Sequence, residues 1–380
     1  DLTDLIDSIA EQQQLAYELT KGANLKLVYW VAVGPPLDPT AEARDSQPEW
    51  WAFKAAPIDV GEALQLFYDK LSSVSFVSAT LALGNTDFSY FIERLGLAQR
   101  VGPKHIRRLP PALPYDQNVF LGLVDYLTYA PLQHTISSFK EELAREWSTL
   151  LQFTGGRALG LFTARERMDF VADRLEPELA QAGLGLLVQS PAASRRRLLE
   201  MFKERAEAVL FGLRSFWEGV DVPGETLSFV LMEKLPFPLL TEPVHRARGE
   251  YLAQQGKSEF EDYMLPLMLL QFKQGFGRLM RRESDRGAVI LFDRRIHRKH
   301  YKADLLASLP GYMPRDETVE RSRRCFYETL ANLFPELIDR TRQADLLANL
   351  PEDILLDLET TLAEFTLPDV ISVEEYDQSR

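Results

Sequence analysis

Gln274-Gly-Phe-Gly-Arg278-Leu-Met-Arg281-Arg282, followed four residues later by the apolar run Gly287-Ala-Val-Ile-Leu-Phe-Asp293, is the stretch on which the fold turns. Apolar spacing predicts a helix over 260–282 and a strand over 287–293. In a helix, Gln274, Gly277, Arg278 and Arg281 stand at i, i+3, i+4 and i+7 and share one face. Two guanidiniums three residues apart can then converge on one multiply charged oxyanion, each with a planar fork that stays charged. Gly277 leaves room where a ligand or a facing backbone approaches. The pattern describes a face that senses phosphate.

Upstream of it, short apolar runs without steady alternation predict strands at 157–163, 184–189, 207–213 and 226–233. Helical spacing fills the gaps at about 135–151, 165–180, 194–204 and 242–254. Alternation of this kind predicts an α/β fold built on a doubly wound parallel sheet. Further outward, residues 1–22 have helical spacing, while Leu25–Val33 and Glu49–Phe53 read as strands flanking a Pro-rich loop. A helix over 59–71 is expected to lead into a strand at Val74–Leu81. Residues 315–380 return to helical spacing.

Between two of the strand candidates lies Ser215-Phe-Trp-Glu-Gly-Val-Asp-Val-Pro-Gly224, and Lys234-Leu-Pro-Phe-Pro238 follows. These segments, with Q-x-x-G-R-x-x-R, resemble motifs V and VI of superfamily-two helicases, and more narrowly the XPD/DinG branch of DNA helicases. Ser78-Ala79-Thr80-Leu81 resembles that branch's motif III, and Gly155–Thr163 resembles the start of its second motor domain. The resemblance runs from about Pro57 to Pro310, with the motifs in the family's order. It implies a RecA-like second motor domain over 109–311, starting at the proline-rich Leu109–Pro114. Residues 1–108 would then be the end of an arch-like insertion and the C-terminal part of the first motor domain, with motif III at 78–81. Residues 312–380 would form a helical, acidic C-terminal extension.

No G-x-x-x-x-G-K-[ST] and no Asp-Glu-x-His box occur in these 380 residues. In the family both lie in the first motor domain, where they hold ATP and Mg²⁺. Asp1 opens what reads as mid-helix (Leu2, Leu5, Ile6, Ile9), so the chain reads as the C-terminal portion of a longer helicase. The expected partners are the upstream half of the same helicase and single-stranded or forked DNA. Many family members carry a four-cysteine iron–sulfur cluster; one cysteine cannot hold it here.

That cysteine, Cys325, excludes disulfides within the chain and suits a cytoplasmic protein. No apolar run approaches membrane-span length. Hydrophobic residues make up 46%, enough for two cored domains. The net charge of −13 argues against nucleic acid only if the charge is even, and it is not. Residues 271–302 hold ten Lys/Arg against three acids, whereas the last thirty hold nine acids and one Arg. A local basic surface and a separate acidic tail are expected.

The resemblance assigns roles residue by residue. Arg278 and Arg281, with Gln274, would act on the γ-phosphate as arginine fingers; the plain alternative is a solvated basic helix face. Glu218, Gly219, Asp221 and Gly277 would frame the nucleotide, with Asp221 near the ribose; the alternative is an ordinary turn. Ser78, Ala79 and Thr80 would couple nucleotide state to domain closure. Thr163, Arg165, Gln189, Arg195 and Ser215 are candidate contacts to the DNA backbone, although Ser215 could equally cap a helix. His297 and His300 lack partners at metal-ligand spacing, so no metal site is assigned. Trp30, Trp50 and Trp51 read as packing. The intact protein would couple ATP hydrolysis to translocation along single-stranded DNA, 5′ to 3′ by analogy. Two other readings stay open: a catalytically dead helicase-like module that binds nucleic acid or protein, and a different nucleotide-using transferase.

Overall fold

A computed structural model describes residues 27–34, 50–311 (except 85, 128–132, 192, 206 and 223), 322–338, 345, 347 and 348. The helical spacing of residues 1–22 and the acidic segment after 350 lie outside the described residues. In chain order the strands are β1 (Leu27–Gly34), β2 (Trp50–Pro57), β3 (Val119–Leu123), β4 (Ala158–Leu161), β5 (Gly185–Val188), β6 (Ala208–Gly212), β7 (Phe229–Met232) and β8 (Gly287–Leu291). The longer helices are α1 (Val60–Tyr68), α2 (Ser89–Arg94), α3 (Gln133–Thr154), α4 (Arg165–Gln181), α5 (Arg195–Lys203), α6 (Pro243–Gln254), α7 (Leu265–Phe276) and α8 (Arg323–Leu333). They divide between two compact units.

One unit comprises Pro111–Leu235, Gln274–Leu306 and Pro310 onward. Its six-stranded sheet runs in the order β3-β8-β7-β4-β6-β5, every neighbouring pair parallel. Parallel neighbours need a crossover, and α4 carries the chain from β4 to β5, α5 from β5 to β6. Five of the strands are wholly buried along their length, which accounts for apolar runs that do not alternate. Alternate residues, among them Phe211, Phe229, Leu231 and Ile290, pack with α3, α4 and α8 in one core. At its centre the Trp147 ring lies 4.8 Å from that of Phe162, 5.4 Å from Phe211 and 5.6 Å from Phe292. The residues of the opposite face, including Leu159, Leu210, Val230 and Val289, are equally buried. Helix α5 starts on a sequence signal, Ser194 accepting from the Arg197 N–H at 3.2 Å.

The other unit gathers three stretches: residues up to Pro110, Pro236–Lys273 and Ala307–Leu309. Strands β1 and β2 pair antiparallel from Leu27↔Pro57 to Gly34↔Trp50. Asp59 caps α1 by accepting from the Gly61 N–H at 2.8 Å, and Arg248 of α6 donates to the carbonyls of Ile58 and Pro57. Segment 236–273 belongs to this unit, although the strands that precede and follow it in sequence belong to the other.

Three elements differ from the sequence reading. Val74–Leu81 forms no strand; the segment runs without regular structure, and Val77 is 94% exposed. A strand needs a neighbour for its backbone, and β1 and β2 satisfy only each other. Strand β3, the sheet's edge beside β8, was not anticipated: its five residues follow a proline-rich stretch, and its partner lies far along the chain. The helix expected over 260–282 opens with a π turn at Phe260–Met264, continues as α7 and stops at Phe276. Two glycines within three residues, Gly275 and Gly277, weaken it there.

Candidate nucleotide and nucleic-acid site

Every strand of the parallel sheet delivers its next residues to the same edge. Thr163 follows β4, Gln189 follows β5, Ser215 follows β6, Glu233 follows β7 and Asp293 follows β8. The carboxyl edge of an open parallel sheet is where such folds bind ligands, because the loops there are free to vary while the strands hold them.

Arg278 and Arg281 sit beyond the end of α7, on a turn, so the shared helix face expected from their spacing does not exist. They converge nonetheless. Arg278 Nη1 donates to the Val220 carbonyl at 3.1 Å, and Arg281 Nη2 donates to the same oxygen at 2.7 Å. Each guanidinium also reaches back one turn: Arg278 Nε to the Gln274 carbonyl at 3.0 Å, Arg281 Nη1 to the Gly277 carbonyl at 3.3 Å. Arg281 pairs with the exposed Asp221 carboxylate at 3.1 Å. Burial and the neighbouring Arg281 pull the Arg278 guanidinium below its ordinary value, though an arginine stays charged wherever the protein is folded. Two cations thus crowd one carbonyl oxygen. That oxygen carries only a partial charge, so an oxyanion there would bind both better.

The loop they reach is tightly set. Gly219 has φ +63°, a conformation that disfavours side chains, and a Cβ there would lie 2.8 Å from Arg195 Nη2. Arg195 donates to the Glu218 carbonyl and lies over the Phe216 ring, 5.5 Å from its centroid. Arg195, Arg214, Ser215, Glu218 and Gly219 line an open cleft of about 570 Å³. Close by, Trp217 is buried against the Phe162 carbonyl, to which its indole N–H points at 3.5 Å. A Cβ on Gly275 would come within 2.9 Å of the Trp217 ring and 2.7 Å of Met232 Cε, so the absent side chain at 275 leaves room for both.

The five proposed DNA contacts lie along one edge. Gln189 links two strands' loops, its Oε1 accepting from the Leu213 N–H at 2.7 Å and its Nε2 donating to Ser215 Oγ at 3.1 Å. Arg165 Nη1 donates to the Gln189 carbonyl at 3.1 Å. Thr163 is bound to Glu233, whose carboxylate accepts from both its N–H at 3.1 Å and its hydroxyl at 3.0 Å. Arg167 pairs with the other oxygen of Glu233 and donates to Thr163 Oγ1 at 2.8 Å. Glu233 is fully buried.

A family model described as the helicase C-terminal domain matches residues 147–312. That interval holds the convergent arginines, the loop they grip and the whole Thr163–Ser215 edge. The 3′-5′ exonuclease DinG of Bacillus subtilis is 34% identical over 262 residues, 68% of this chain and 28% of that protein. The ATP-dependent DNA helicase YoaA of Escherichia coli is 33% identical over 269 residues, 70% of this chain and 40% of that protein.

This chain carries the C-terminal portion of an XPD/DinG-like helicase.

The solved structure titled XPD helicase shares the fold, with a TM-score of 0.51 at 18% identity, covering 67% of this chain and 44% of that one. The chain spans well under half the length of these two curated relatives.

Ser78 and Thr80 of this DinG-like chain lie in the other compact unit. They form a local turn, with hydroxyls 3.1 Å apart and the Thr80 N–H on Ser78 Oγ, and Ala79 between them. The expected basic surface over 271–302 is partly tied down: Arg294 pairs with Asp125, Arg295 with Asp293 and Arg286 with Glu336. His297 reaches the Leu123 carbonyl at 3.0 Å. Among the described residues no group of three or more His, Cys, Asp or Glu could hold a metal ion. The sequence reading missed Glu233, Arg167 and Asp285, and a lone carboxylate after a strand gives no signal of what it will accept. It also missed Tyr115, whose ring stacks on Phe276 at 5.6 Å beside the two arginines.

Proposed function

We propose that this helicase C-terminal domain supplies the arginine face and one stretch of the DNA track for ATP-driven translocation along single-stranded or forked DNA. The observation that carries the reading is the convergence of Arg278 and Arg281 on the Val220 carbonyl. A γ-phosphate oxygen would displace that carbonyl as the common acceptor, and both cations would stabilise charge developing during transfer. Gln274 contributes its carbonyl to holding Arg278. Glu218, Gly219, Asp221 and Gly277 frame the loop and turn at which the nucleotide would arrive, and Ser78, Ala79 and Thr80 couple its state to closure.

Among the described residues no group of three or more His, Cys, Asp or Glu could hold a metal ion; the P-loop and the acids that hold Mg²⁺ would come from the upstream half of the same helicase. Residues 1–108, 109–311 and 312–380 would serve as partial first motor domain, second motor domain and extension. The DNA backbone would run along Thr163, Arg165, Gln189, Ser215 and Arg195, and movement would be 5′ to 3′ in a cytoplasmic enzyme. Alternating grips on phosphates would ratchet the strand.

The test is ATP turnover. Purified alone with Mg-ATP and single-stranded DNA, the 380-residue chain should show none, because its arginines have no held phosphate to act on. In the helicase that includes the P-loop, Arg278→Lys should keep the fold but lose turnover by about 10³-fold or more. Robust hydrolysis by the chain alone, abolished by Arg278→Ala, would put the whole ATP site here and overturn the reading.

A further inference from the structure

Arginines that act on a transferring phosphate must be held to within a fraction of an ångström, and a helix ordinarily supplies that rigidity. Here α7 ends at Phe276, two residues before Arg278 and five before Arg281. Something else must fix the turn that follows.

Asp285 meets that need. It is only 5% exposed, and its two carboxylate oxygens accept from three backbone N–H groups. Oδ2 takes those of Arg281 and Arg282, each at 2.8 Å, which closes the turn on itself. Oδ1 takes the N–H of Gly224 at 3.2 Å, at the far end of the loop that carries Glu218, Gly219, Val220 and Asp221. One carboxylate thereby joins the arginine turn to the loop whose Val220 carbonyl the arginines grip. Charged acceptors make the stronger backbone hydrogen bonds, and a side chain this short leaves little slack.

We propose that Asp285 is the positioning residue of the arginine face: it fixes the turn at 277–285 and the loop at 218–224 as one rigid piece, so that Arg278 and Arg281 meet a phosphate without first being ordered. This rests on the proposed role of those arginines, but its first consequence does not. The hydrogen bonds predict a mechanical coupling between two segments whatever the site binds. Asp285 touches no reacting atom.

The test compares Asp285→Ala and Asp285→Asn with the parent chain. Asn keeps one acceptor oxygen, so it should fold even if Ala does not. Amide hydrogen exchange read by mass spectrometry should show faster uptake in peptides over 277–286 and over 218–226 together, with β4 and β6 unchanged. Acceleration spread across the sheet, or confined to one of the two segments, would overturn the coupling. In the complete helicase, Asp285→Asn should lower kcat for ATP by about 10²-fold, the cost of a misplaced catalytic group, with ATP affinity changed far less. Unchanged kcat alongside coupled exchange would overturn the positioning role. An Arg278→Lys enzyme at full rate would instead refute the arginine assignment, leaving the exchange result standing.

Discussion

At the scale of single residues, what a side chain can do is set by which of its bonds are already made. The Thr163 hydroxyl has one proton and donates it to Glu233, while accepting from Arg167. It can therefore offer a DNA phosphate no donor until Glu233 lets go. Asp293 is committed in the same way, buried at the end of β8 with Arg295 and the Leu235 N–H, 3.0 Å away, on its carboxylate. Burial pushes its carboxyl up, but Arg295 and the hydrogen bonds outweigh that and hold it below its usual value. In the unfolded chain the carboxyl takes up its proton first as pH falls. Its contribution is thus complete above about pH 4, the ordinary aspartate value, and is lost as pH drops through the lower folded value. Asp293→Asn should cost about 3 kcal/mol at pH 7, the low end for breaking a buried pair, because Arg295 is partly exposed. In urea titrations the gap between parent and variant should narrow below about pH 4; a gap independent of pH would dismiss the ionised pair. The nearness of Arg278 and Arg281 was legible in their spacing, though they meet on a turn and not on the helix face that spacing implied. Asp285 and Glu233 were not legible, since nothing in the sequence shows that one carboxylate would gather N–H groups from its own turn and from Gly224, and the other Thr163 and Arg167.

Elements were legible where their signals are local. The helix expected over 165–180 forms as Arg165–Gln181, and that over 194–204 as Arg195–Lys203 behind its Ser194 cap. Strand β3 was invisible because its pairing with β8 is a long-range fact. Beyond Phe276, where α7 stops early, the local Asp285 carboxylate captures the Arg281 and Arg282 N–H groups that further helical turns would have used. Helix α8 is the element whose weight the sequence least conveyed. Phe326, Tyr327 and Leu330 are fully buried in the core behind the sheet. The Tyr327 hydroxyl and Arg323 both meet the buried carboxylate of Glu146 on α3, at 2.9 and 2.7 Å. A chain ended at residue 312, where the family match stops, should lose cooperative unfolding. Each large aromatic withdrawn from a core costs about 3–5 kcal/mol, against a total stability of about 5–15 kcal/mol. A sharp thermal transition by circular dichroism at the parent's midpoint would show that α8 is dispensable.

For the whole molecule, charge and connectivity matter more than any one contact. Ion pairs engage at least four of the ten cations of the basic segment at 271–302, Arg281, Arg286, Arg294 and Arg295, which reduces the charge left to meet a DNA backbone. Single-stranded DNA should bind the chain weakly, with log affinity falling by about 0.7 per phosphate contact for each unit of log salt, and a shallow slope overall. Fluorescence anisotropy at several ionic strengths checks this, and salt-independent binding would mean that phosphates are not the ligand. Connectivity has a separate consequence, for how such a chain is made. Strand β3 at Val119–Leu123 closes the sheet only against β8, whose first residue, Gly287, leaves the ribosome about 160 positions later. At about 5–20 residues per second, β3 waits roughly 8–30 s for its neighbour. Through that interval its five apolar residues and unpaired backbone are open to any nascent or finished chain that offers an edge. The protein is therefore most at risk of aggregation while it is being translated, before it has met any substrate.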